Sequence, residues 1–175
     1  MKLKTQDSTG SSIYISLKKI LLITIILASV FVQQSIAQDT TSQSQFSQLL
    51  RSYYDIKDAL VSGNAGSASS NAEQFVKTAN GISYRNFVEG NRDALLKDAG
   101  KISDTKDLTH QREHFANLSA NMFALAKSVK LTSEPVYQVY CPMKKAVWLS
   151  KESAIKNPYF GSAMLTCGSI KDTLK

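Results

Sequence analysis

Cysteine and histidine are scarce in this chain of 175 residues, with two of each, and there are only three prolines and one tryptophan. Two cysteines cannot build the dense disulfide framework of a small secreted scaffold, so any fold must rest on an apolar core. Blocks of like charge are absent, and no basic stripe interleaves with aromatic residues. Both absences argue against a nucleic-acid groove and leave the charges as ordinary solvated surface. No glycine-rich phosphate loop, no Ser/His/Asp set and no paired-carboxylate arrangement stands out, so the expectation is a protein that is not an enzyme. Only one long apolar run occurs, Ile20 to Val32. At thirteen residues it is shorter than the roughly 20 a spanning helix needs, so no membrane span is expected to remain in the mature chain.

That run has a clear reading of its own. Lys18 and Lys19 precede it, and Ser35 and Ala37 give a small-x-small end, the pattern of a secretory signal peptide over residues 1–37 cleaved near Ala37. No cysteine follows the run, which argues against a lipoprotein anchor. The expected location is periplasmic or secreted. The formal charge of +7 includes +3 from residues 1–37, where Lys2, Lys4, Lys18 and Lys19 face Asp7, so the rest of the chain carries +4.

Residues 38–45 are rich in Thr, Ser and Gln without an apolar period and read as a disordered tether, followed by one domain over 46–175. Phe46, Leu49, Leu50, Tyr53, Ile56 and Leu60 recur at helical spacing until Gly63-Asn64. A second helix fits Ala65 to Ala79, with small residues along one side, and Asn80-Gly81 breaks it. A third covers Tyr84 to Ile102, interrupted at Gly90-Asn91. The fourth has Asp104 or Asp107 as a cap and a stripe of Leu108, Phe115, Leu118, Met122, Leu125 and Val129. Short connections make this a mainly α protein, an antiparallel up-down bundle of about four helices.

After Pro135 the period changes. Val136–Tyr140 and Ala146–Leu149 read as two short strands joined by a loop that holds Cys141, Pro142 and Met143. Asn157-Pro158 then opens a short closing helix that Gly168 ends. On that helix Met164 and Cys167 are three residues apart and share a side. Folding it against the hairpin makes a cap over about 135–175 and brings the sulfurs of Cys141, Met143, Met164 and Cys167 together.

Thiolate and thioether are soft donors suited to Cu(I). Exported cysteines in even number are equally suited to a Cys141–Cys167 disulfide, with Met164 as core filler, and both readings stay open. His110 and His114 lie one turn apart at the border of the apolar stripe, placed either to bind one metal or to hydrogen-bond a neighbouring loop. The string His110-Gln-Arg-Glu113-His114 also matches the inverted zinc-protease pattern, in which the glutamate activates a metal-bound water. Sixty-one residues follow His114, too little context for the further acidic ligand and substrate cleft of such a metallohydrolase.

The strings HQREHFANLS (His110–Ser119), YCPM (Tyr140–Met143), WLS (Trp148–Ser150) and IKNPYFGSAMLTCG (Ile155–Gly168) resemble a secreted bacterial domain-of-unknown-function family, number 3347. It is found alone or as the tail of periplasmic adaptor subunits of heavy-metal efflux pumps. Tyr140-Cys-Pro-Met143 is also similar to the short heavy-metal-binding motif of those adaptors. Lys144 stands where that motif has histidine, and Cys167 stands alone where it has a later cysteine pair. The resemblance implies a soft-metal setting, chiefly copper. Its implied partners are a metal ion and an efflux-pump adaptor or another periplasmic copper carrier.

Overall fold

A computed structural model of the chain describes residues 42–87 and 90–174. The expected signal peptide, its cleavage site and the first part of the expected tether lie outside the described residues. Four helices come first: α1 over 42–61, α2 (Ala65–Asn80), α3 (Asn91–Ser103) and α4 (Leu108–Ser128). Three strands follow, β1 (Val136–Cys141), β2 (Ala146–Ser150) and β3 (Ser169–Leu174), so the domain is mainly α with a small antiparallel sheet.

Apolar stripes account for the helices. All six predicted positions of α1 are buried, as are Ala68, Ala72, Phe75 and Ala79 of α2. Removing one such leucine or phenylalanine from water contributes about 1.5–3 kcal/mol. Helix α1 includes 42–45, which the sequence assigns to the tether. These polar residues are helical because they have partners: Gln45 donates to the Gly81 carbonyl at 3.3 Å, and Asn86 donates to Ser42 Oγ at 3.1 Å. Asn64 caps α2 by accepting from the Ser67 amide, and Asp107 caps α4 by accepting from the Thr109 amide. The expected third helix is in two pieces, a 3₁₀ turn at Tyr84–Asn86 and α3 proper. Gly90, at φ +74°, makes the left-handed turn into α3.

Helix α3 packs on both α2 and α4, and β2 lies against α4. Gln111, fully buried at the start of α4, donates to the carbonyls of Ala65 at 3.0 Å and Thr105 at 2.8 Å, binding three segments together. The sheet order is β2-β1-β3, all antiparallel, with a bulge at Gln138/Val139 where β1 meets β3. Trp148 and Leu149 point to opposite faces of β2, yet both are buried, so this strand is covered on each side.

The cap departs from expectation in three respects. Cys141 is the last residue of β1, paired with Ala146, and not a loop residue. The expected closing helix is a series of turns with a 3₁₀ segment at Gly161–Met164. Gly161 sits at φ +55°, and a Cβ there would lie 2.8 Å from Arg112 Nη2 and 3.0 Å from the Val61 carbonyl, so a regular helix cannot pass through it. Arg112 uses that space to donate to the carbonyls of Leu60 and Pro158, each at 3.0 Å. Finally, Ser169–Leu174, to which the sequence reading assigns no element, form strand β3.

Candidate functional site

The cap builds its site from the backbone ladder upward. Tyr140 pairs with Ser169 across β1 and β3, so one further step along the register sets Cys141 opposite Gly168, beside Cys167. Gly168 is required at this crossing: a Cβ would stand 2.7 Å from the Trp148 ring and 3.3 Å from the Tyr140 carbonyl. Both cysteines are free thiols, Cys141 fully buried and Cys167 half-buried. They are neighbours, because the one amide nitrogen of Asn157 reaches both Cys141 Sγ and the Cys167 carbonyl. Burial is the largest influence on the Cys167 thiol, followed by the charge of Cys141 and its hydrogen bond, and together they hold it above the usual thiol range.

Asn157 organises the pair. Its side chain is completely buried, and its amide donates to Cys141 Sγ at 3.3 Å and to the Cys167 carbonyl at 2.7 Å. Its oxygen accepts from the Tyr159 amide at 2.8 Å, an Asx turn where the sequence suggests a helix cap. The Lys144 amide, 3.4 Å from Cys141 Sγ, is a second donor to the buried sulfur.

The thioethers lie outside this inner arrangement. Met143 is 62% exposed in the turn between β1 and β2, and Met164 is 39% exposed on the 3₁₀ segment. Neither packs against the core, so Met164 is not core filler.

The histidines form a separate feature. His110 is exposed and His114 half-buried on α4, their rings edge to face with centroids 4.7 Å apart. His114 Nδ1 is 2.9 Å from Oδ1 of Asp98, a buried carboxylate on α3. Arg112, about 200° around α4 from His114 at 3.6 residues per turn, faces the cap loop instead. Among the described residues, no three His, Cys, Asp or Glu side chains are placed to hold one ion, so the histidines and cysteines do not share a site. Glu113 lies exposed on α4.

Asp98 and Asn157 are the residues that sequence reasoning passes over. Asp98 left a signal, since it falls among Leu95, Ala99 and Ile102 on the buried side of α3. Asn157 left none that separates a buried hub from a cap.

The chain is thus a helical domain whose small sheet brings two free thiols close together. A family model described as protein of unknown function (DUF3347) matches residues 49–134, and over that stretch the chain belongs to this family. The match spans most of the four helices, His110–Ser119 included, and ends before β1 and the thiol pair. No curated protein and no solved structure matches the chain. Among the described residues, no helix is long and apolar enough to cross a membrane.

Proposed function

We propose that this is an exported, non-catalytic binding protein whose cargo is a soft metal ion, Cu(I), held between Cys141 and Cys167. The adjacency of the two free thiols, one buried and one half-buried, carries this reading. Two thiolates suit the low coordination number and softness of Cu(I). Loading displaces the thiol protons, so affinity rises with pH. Met143 and Met164, exposed on the same cap, are placed to meet an arriving ion rather than to enclose a bound one. Delivery to a heavy-metal efflux adaptor or a second periplasmic copper carrier is the role that fits an exported buffer.

The same adjacency supports a second reading, a Cys141–Cys167 disulfide that staples β1 to the segment before β3 in an oxidising compartment. Titration of the reduced mature protein with Cu(I), followed by native mass spectrometry, separates the two. One retained ion, lost in Cys141→Ser/Cys167→Ser, is the expected result. A protein that takes up no copper after gentle reduction sinks the metal reading and leaves the staple.

A further inference from the structure

The pairing of His114 with Asp98 is unusual for its setting. The Asp98 side chain is only 9% exposed, and among the described residues its sole ion-pair or hydrogen-bond partner is the imidazole of His114. A buried carboxylate is costly unless its charge is matched nearby. Among the described residues no lysine or arginine pairs with Asp98, so the imidazole N–H of His114 is what satisfies it.

With Nδ1–H donated to Asp98, the lone pair of His114 is on Nε2, on a side chain that is 23% exposed. His110 stands one helical turn earlier, exposed, with its ring centroid 4.7 Å away. Two imidazoles at i and i+4 form a chelate from a single helix. A carboxylate on the far nitrogen fixes the tautomer of a ligating histidine and raises its basicity. The arrangement has all three parts, built from two helices packed on each other.

We propose that His110 and His114 form a second metal site, separate from the thiol pair, in which two imidazole nitrogens bind a divalent cation and Asp98 positions His114. Water completes the coordination, because no third protein ligand converges there. Imidazole donors suit borderline divalent ions, and Cu(II) heads the affinity order for such a site. The module thereby offers sulfur to a soft ion and nitrogen to a harder one at two addresses.

The test uses the mature full-length protein carrying Cys141→Ser/Cys167→Ser, so that thiols neither bind nor reduce the probe. Cu(II) is titrated and followed by calorimetry and by electron paramagnetic resonance. One bound ion with nitrogen coupling is expected, with binding lost in His110→Ala, an exposed substitution that leaves the Asp98–His114 pair intact. Asp98→Asn is expected to weaken binding by about 10–100-fold while two nitrogens remain in the spectrum. Absence of a bound ion, or unchanged affinity in His110→Ala, overturns the site. Unchanged affinity in Asp98→Asn overturns the positioning role. Should the double cysteine variant fail to fold, Ni(II) titration of the wild-type protein is decided by the same loss in His110→Ala.

Discussion

At the residue scale, the Cys167 thiol answers first to burial and then to Cys141. Two of the three influences that hold its thiol up come from that one neighbour, the first being burial. Cys141→Ala therefore lowers the Cys167 pKa toward the ordinary thiol value and enlarges the thiolate fraction at a given pH. Alkylation of Cys167 by iodoacetamide between pH 7 and 9 should be faster in the variant, with its pH profile moved to lower pH. An identical profile in the two proteins would show that the thiols do not interact. Both cysteines stand out in the sequence, because their side-chain chemistry is local. Asn157 was not, because a buried amide owes its meaning to Cys141 and the Cys167 carbonyl, which reach it only through the fold.

At the element scale, strand β3 holds the segment of Cys167 against the end of β1. Apolar period revealed α1, α2, α4 and the β1–β2 hairpin, because each buries a face. Strand β3 was illegible for the opposite reason: Ser169–Thr173 are all exposed, and it is held through its ladder with β1. A strand without a buried face leaves no alternation to read. What the sequence does carry is Gly168, the residue that lets this segment pass under Trp148. Gly168→Ala pushes ring and strand apart and should destabilise the protein by about 1–3 kcal/mol, as overpacking does. Urea unfolding checks this, and emission from the single tryptophan reports the local change. Unaltered stability and emission together would mean that the crossing has slack.

At the scale of the whole molecule, Tyr53 joins the helices to the sheet. Its hydroxyl, fully buried, lies 2.7 Å from Ser119 Oγ on α4 and accepts from the Leu149 amide of β2 at 3.0 Å. Burial raises its pKa far above the ordinary phenol value, so it remains a neutral donor throughout the usual pH range. Residues 42–175 form one compact unit, and this bond is one reason the sheet does not behave as an appendage. Helical circular dichroism and Trp148 fluorescence should lose their signals in a single coincident urea transition. Tyr53→Phe should move both midpoints down together, by about 1–3 kcal/mol, since it strands a buried amide. Separated transitions in the wild-type protein would contradict a shared core. The burial of Cys141 behind Asn157 has a last consequence, which concerns traffic. Cys141 is fully buried and Cys167 only half-buried, so a thiol reagent in solution is expected to modify Cys167 before Cys141.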